Sequence, residues 1–190
     1  MLKADLRKKY IKKRKTLSDD EVFLLSDKIF SHFIKYFQPV SGNKIHLFIP
    51  IDTLREVRTE TLIQYCFKND VRVFVPKVIG EHLISVEIFE NTVFKTNGWG
   101  ISEPLSDIDS GICGFDFVIT PLLYCDSKGN RVGYGKGFYD SFFENVLGST
   151  KKIGVNYFNP DENVDDVRIN DIPLDYLITP TAVVSFLDEK

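Results

Sequence analysis

Apolar positions recur at two different periods along the chain. Leu2, Leu6 and Tyr10 are four apart, which places them on one stripe of a helix over residues 2–15, while Lys3, Arg7 and Arg14 fall on a neighbouring stripe. Ser18 with Glu21 three residues later makes a capping box. It predicts a second helix from about Asp19 to Phe37, with Val22, Leu25, Ile29 and Phe33 on one face and Pro39 and Gly42 ending it. Lys44 to Ile49 then reads as a strand stopped by Pro50, Val71 to Val75 as a strand ended by Pro76, and Leu83 to Phe89 as a third, with a helix over Glu60 to Lys68 between the first two. Further on come an apolar run from Phe115 to Leu123, a helix-like segment from Phe138 to Leu147, and a strand from Lys152 to Tyr157. Tyr176 to Thr179 and Ala182 to Phe186 are short closing strands, and Asp107 to Gly114 and Asn159 to Asn170 are polar loops. Strands alternating with helices predict an α/β fold with a largely parallel sheet. No repeat, linker or low-complexity tract interrupts residues 1–190, which are expected to form one domain.

Composition narrows the class more than the function. The chain has 190 residues, 43% hydrophobic and 27% charged, as expected of a soluble globular protein with a full-sized core. The net charge of −3 predicts no partner, but residues 1–15 hold eight lysines and arginines against one aspartate. Charge alone favours a solvated basic helix there, and one short helix on an otherwise acidic chain is thin ground for nucleic-acid binding. Cys66, Cys113 and Cys125 are scattered and odd in number, without a C-x-x-C, so a reduced, cytoplasmic protein without a disulfide framework is expected. His32, His46 and His82 are equally dispersed. No stretch is long and apolar enough to span a membrane, and the N-terminus lacks the apolar core of a signal peptide.

The chemistry concentrates in Gly129-Asn130-Arg131-Val132-Gly133-Tyr134-Gly135-Lys136-Gly137-Phe138-Tyr139-Asp140, set between the apolar run and the helix that follows it. Strand, glycine loop and helix N-terminus together make an anion site, because glycines admit close approach to backbone amides and the helix dipole favours negative charge. Arg131 and Lys136 add cations, and Asp140 can hold a divalent metal through oxygen. The spacing is neither G-x-x-x-x-G-K-[ST] nor G-x-G-x-x-G. Glycine repeats alone do not separate a flexible turn from a phosphate cradle; the added charges favour the cradle, with a nucleoside triphosphate and magnesium as its ligands. A second candidate is the loop from Ile51 to Thr59 after the first strand, where open α/β sheets bind ligands. From the residues alone, Glu56 or Thr59 capping the next helix is the simpler reading.

The twelve-residue stretch resembles the nucleotide-binding signature of the 5-formyltetrahydrofolate cyclo-ligases (methenyltetrahydrofolate synthetases), roughly G-x-R-[LV]-G-x-G-[GK]-G-[YF]-Y-D. The resemblance extends over nearly the whole chain and implies a three-layer, Rossmann-like α/β sandwich. It implies that Lys3 and Arg7, in the register of K-x-x-[LI]-R, meet the ATP phosphates, with Arg14 a further candidate. It also implies that ATP lies along Arg131, Val132, Gly133, Tyr134, Gly135, Lys136, Gly137, Phe138 and Tyr139. Glu56-Val57-Arg58-Thr59 matches an E-[VI]-x-T motif whose glutamate contacts the folate, though many relatives are acidic where this chain has Arg58. Ile51, Trp99, Tyr134 and Tyr139 complete the implied folate site; Trp99 lies in Asn97–Pro104, which resembles a G-I-x-E-P segment. Asp140 is the implied magnesium ligand. Asp171 is a second one, in a region that departs from the family's P-x-E-x-H-D by lacking its proline, glutamate and histidine.

The implied reaction is the ATP- and Mg2+-dependent conversion of 5-formyltetrahydrofolate to 5,10-methenyltetrahydrofolate, ADP and phosphate. The formyl carbon is amide-like and its oxygen leaves poorly. Phosphorylation of that oxygen makes it a leaving group, and nitrogen 10 then attacks the carbon. Lys136 and Arg131 would stabilise the moving phosphoryl group. The expected partner is the small-molecule substrate, with no nucleic acid and no membrane, and a monomer is the expected state. Two other readings use the same residues: an ATP-dependent small-molecule kinase, and a non-catalytic nucleotide- or RNA-binding module.

Overall fold

Side chains along the central strands divide by alternation between two cores, and that division makes the layers. The computed structural model describes residues 1–80, 82–98 and 100–187. In β1 (Lys44–His46) Ile45 joins one core, while the His46 ring packs 4.5 Å from that of Phe142 on the opposite face. Val73 and Val75 of β2 (Arg72–Ile79) join the first core and Phe74 the second; Ile119 and Val118 of β6 (Phe117–Pro121) divide in the same way. The first core is covered by α2 (Asp19–Phe37), through Val22, Ile29, Phe30 and Phe33, and by α3 (Glu60–Lys68), through Leu62 and Cys66. The second is covered by α4 (Phe138–Asn145), through Phe143. The expected three-layer α/β arrangement is therefore present.

Among the described residues seven strands form the central sheet. Its order is β11-β10-β9-β6-β1-β2-β3, where β3 is His82–Ile88, β9 Lys151–Val155, β10 Tyr176–Ile178 and β11 Val183–Ser185. The five strands from β10 to β2 run parallel, and β3 and β11 close the two edges antiparallel. Gly154 in β9 is required by packing: a Cβ there would lie 2.5 Å from methyl carbons of both Leu122 and Leu174.

The helices α2 and α3 have the predicted limits; the strands differ. β2 does not stop at Pro76 but runs to Ile79, with Pro76 opposite Ser85. The reason is local: the Leu47 amide donates to the Phe74 carbonyl, so two residues on the Pro76 nitrogen faces the same way, past the end of β1, and no ladder bond is lost. The short pairs β4 (Phe94–Thr96) with β5 (Ser102–Pro104) and β7 (Tyr124–Cys125) with β8 (Arg131–Val132) were not expected. The turn of the second pair is tied by Asp126, whose Oδ1 accepts the amides of Lys128 and Asn130 at 3.0 and 2.9 Å.

The first helix, α1 (Lys3–Lys15), packs on the β7–β8 hairpin in a third core of Leu6, Tyr10, Leu123, Tyr124, Val132 and Val164. Its buried stripe is displaced one turn from expectation. Leu2 is 52% exposed, and the stripe runs Leu6, Tyr10, Arg14, the last only 2% exposed. Tyr10 and Tyr124 stack at 4.3 Å, and Glu162 ties the acidic loop to both: its Oε1 accepts the Tyr10 hydroxyl at 2.6 Å and its backbone carbonyl accepts that of Tyr124 at 3.0 Å. Lys9 pairs with Glu162 at 2.7 Å.

Candidate active site

Leaving β8, the chain enters the glycine loop under α1. Gly135 and Gly137 have φ of 94° and 74°, in the left-handed region, whereas Gly133 does not need it. At Gly135 a side chain would also crowd α1, since a Cβ would lie 3.4 Å from the Arg7 guanidinium carbon. Arg7 Nε donates to the Gly133 carbonyl at 2.7 Å, so the helix holds the loop directly.

Beside the loop, two cations face two carboxylates. Arg131, whose side chain is 8% exposed, pairs through Nη2 with Asp140 and donates through Nη1 to the Ile172 carbonyl. Its guanidinium lies 4.9 Å from the Phe143 ring centre. Burial lowers the Arg131 pKa, opposed by the charges of Asp140 and Asp171. Lys3 Nζ pairs with Asp171, which also accepts the Arg168 amide at 2.5 Å. Burial pushes the Asp171 carboxyl up, but the hydrogen bonds from Lys3 and the Arg168 amide outweigh it and leave the pKa below the usual carboxylate value. Asp140 and Asp171, distant in sequence, line one cavity of about 320 Å3 with Arg168, Ile169 and Asn170.

Glu56 forms a second subsite on the loop after β1. It is 4% exposed; Oε2 accepts the Ile51 amide at 2.9 Å, and its backbone carbonyl accepts the Tyr157 hydroxyl at 2.8 Å. Burial raises its pKa against the opposing pull of the Ile51 amide, the Tyr134 hydroxyl and the Arg14 charge. The expected capping role is not taken by Thr59: its hydroxyl donates to the Phe48 carbonyl at 3.0 Å. The Tyr139 hydroxyl is buried without a hydrogen-bond partner, with Glu56 and Arg131 as its charged neighbours. Among the described residues it is left without the partner that a buried hydroxyl normally has.

The structure thus brings Lys3, Arg131, Asp140 and Asp171 together, ties Arg7 to the loop at Gly133 and Gly135, and sets Tyr134 and Tyr139 near Glu56, which holds the Ile51 amide. Lys136 stands apart. It is exposed and, among the described residues, without a hydrogen bond or ion pair, and with Gly137 and Phe138 it lines a different cavity of about 440 Å3, beside Ser85, Asp109 and Cys113. The Val132 side chain is fully buried in the third core and its carbonyl accepts the Leu123 amide at 2.8 Å. Trp99 lies outside the described residues. Arg14, a candidate for the phosphates, is instead buried, donating to the Leu122 carbonyl through Nη2 and to the Tyr134 hydroxyl through Nη1 at 3.2 Å. Sequence reasoning did not find Tyr157 as a brace for Glu56. Arg14 was readable as a buried position from its place four residues after Tyr10.

The sequence profile of the 5-formyltetrahydrofolate cyclo-ligase family matches residues 1–180. The chain belongs to that family. Among curated cyclo-ligases, the probable enzyme of Schizosaccharomyces pombe is 34% identical over 150 residues, 68% of this chain and 72% of its own. That of Escherichia coli K12 is 25% identical over 178 residues, covering 90% and 96%. The cyclo-ligase fold agrees with solved structures. The 5,10-methenyltetrahydrofolate synthetase of Aquifex aeolicus superposes with a TM-score of 0.84 at 30% identity, covering 100% of this chain and 95% of the other. The enzyme of Mycoplasma pneumoniae superposes with 0.73 at 26% identity, covering 95% and 99%.

Proposed function

We infer that this cyclo-ligase family member converts 5-formyltetrahydrofolate to 5,10-methenyltetrahydrofolate using ATP and Mg2+, with ADP and phosphate as the other products. One observation carries the reading: beside the glycine loop stand a cation–carboxylate cluster and a buried glutamate, and the Tyr139 hydroxyl, unpartnered among the described residues, has Glu56 and Arg131 of these two groups as its charged neighbours. A triphosphate fits the first and the hydrogen-bonding edge of a pterin fits the second.

The donor set also suits magnesium. Among the described residues no group of three or more His, Cys, Asp and Glu side chains gathers as a metal site. Asp140 and Asp171 would supply two carboxylates, and Mg2+ characteristically takes one or two, completing its shell with phosphate and water oxygens. When bound, the metal would neutralise charge on the phosphates. Lys3 and Arg131 would then turn from Asp171 and Asp140 to phosphate oxygens, freeing both carboxylates for the cation. ATP supplies the phosphoryl group that turns the formyl oxygen into a leaving group, so that nitrogen 10 can close the ring. The chain orients the reactants and stabilises developing charge: Arg131 and Arg7 at the phosphates, with Lys136 swinging in from the neighbouring cavity, Glu56 at the pterin, Tyr134 and Tyr139 as walls between them. The same reading makes the protein cytoplasmic; Cys66, Cys113 and Cys125 are unpaired, and among the described residues no helix is long and apolar enough to cross a membrane.

The test is to mix the protein with 5-formyltetrahydrofolate, ATP and Mg2+ and follow the near-ultraviolet absorbance of the methenyl product. The expected result is an ATP-dependent rise that is absent without Mg2+. No rise, with ATP still bound, would defeat the folate assignment and leave the small-molecule kinase reading in its place.

A further inference from the structure

A charged residue buried as deeply as Arg14 needs an account. Among the described residues no carboxylate lies within ion-pair distance of it, and its Nε has no partner at all. Nη2 is held by the Leu122 carbonyl, and the guanidinium lies 5.7 Å from the Tyr157 ring centre. Leaving a buried charge so thinly compensated is costly unless it does something else.

What it does is fix a proton. A tyrosine hydroxyl has one hydrogen to give and lone pairs to receive. Arg14 Nη1 donates to the Tyr134 hydroxyl at 3.2 Å, so the hydroxyl is the acceptor there and its own hydrogen is directed elsewhere. Its charged neighbours are Glu56 and Arg14 itself. Arg14 thus joins α1 to the glycine loop through Tyr134, and a second contact leads on to the loop after β1. That contact is Tyr157, which approaches Arg14 with its ring while its hydroxyl donates to the Glu56 carbonyl.

The geometry points to Arg14 as a positioning residue for the folate subsite, orienting the Tyr134 hydroxyl against Glu56 without touching either ligand. This rests on the reading of Glu56 as the folate-binding carboxylate. A direct role at the phosphates is disfavoured by distance, since eleven residues of helix separate Arg14 from Lys3 by about 16 Å, and by the commitment of both Nη atoms.

The test measures, by calorimetry, the affinities of 5-formyltetrahydrofolate and of a non-hydrolysable ATP analogue with Mg2+, alongside thermal melting. The proteins are the native chain, Arg14→Met, Arg14→Lys, Tyr134→Phe and the Arg14→Met/Tyr134→Phe double variant. Arg14→Met is expected to weaken folate binding by about tenfold to a hundredfold while nucleotide affinity stays within about twofold. Arg14→Lys should recover part of the loss. The double variant should bind folate no more weakly than Arg14→Met, because both changes remove the same interaction. Unchanged folate affinity in Arg14→Met, an equal loss of nucleotide affinity, or losses that multiply in the double variant would overturn the role. Should Arg14→Met not fold, Tyr134→Phe decides: a comparable, folate-selective loss supports the chain of contacts and native affinity refutes it. A native protein that binds nucleotide but no folate would defeat the folate reading itself, and the positioning role with it.

Discussion

At the scale of single residues, the charges beside the glycine loop hold one another: Lys3 with Asp171 and Arg131 with Asp140. Removing one partner therefore does more than delete a ligand contact. Asp140→Asn should raise the Mg2+ concentration needed for half-maximal turnover, and an unchanged magnesium titration would exclude Asp140 as a ligand. Lys136 differs in being exposed and unpaired, so its removal disturbs little of the resting structure. Lys136→Ala is expected to lower kcat by on the order of 10²–10³ if it reaches the phosphoryl group in the transition state, with melting temperature nearly unchanged. Near-native turnover would remove it from the mechanism. Residue identities along the glycine loop were readable because they are contiguous. The Ile51 amide on Glu56 and the Tyr157 brace were not, because each depends on which strand ends the fold brings side by side.

At the scale of elements, legibility followed length and capping. α2 and α3 announce themselves through the Ser18–Glu21 box and sustained helical period, whereas β4, β5, β7 and β8 are two or three residues long and too short for any period to register. Pro76 misled because a proline ends a strand only where its missing amide is needed, and β1 is too short to need it. β9 carries its own test. Gly154→Ala would press a methyl against Leu122 and Leu174 and should destabilise the protein by about 1–3 kcal/mol, read from denaturant melts. A neutral result would mean that those leucines repack freely. The acidic loop gives a pH signature. Hydrogen bonds from Lys9 and Tyr10 lower the Glu162 pKa from its usual 4.5. Its stabilising contribution is thus present above that value and lost as pH falls through the lowered one. Glu162→Gln should cost about 1 kcal/mol or less at neutral pH, and the two stability curves should converge in acid. A gap that persisted in acid would mean the charge is not the source.

At the scale of the whole molecule, the sheet, its two helical layers and the family were all foreshadowed by alternating periods and one contiguous stretch of sequence. What the pattern could not convey is that α1 lies outside those layers, on the β7–β8 hairpin. Its amino-terminal residues, Lys3 and Arg7, attend the glycine loop and the acidic cluster, while its far end, Arg14, reaches Tyr134 and, through Tyr157, the loop that carries Glu56. A helix is stiff over that length, so the two proposed sites share a lever. Thermodynamic reciprocity then applies: whatever factor nucleotide binding contributes to folate affinity, folate must return to the nucleotide, and the coupling free energy should shrink when the helix is cut loose from Tyr134. Each ligand titrated in the presence and absence of the other measures that factor twice over. On the proposed reading, a factor above one would mean that the cell meets an enzyme that holds its triphosphate most tightly when there is a folate to spend it on.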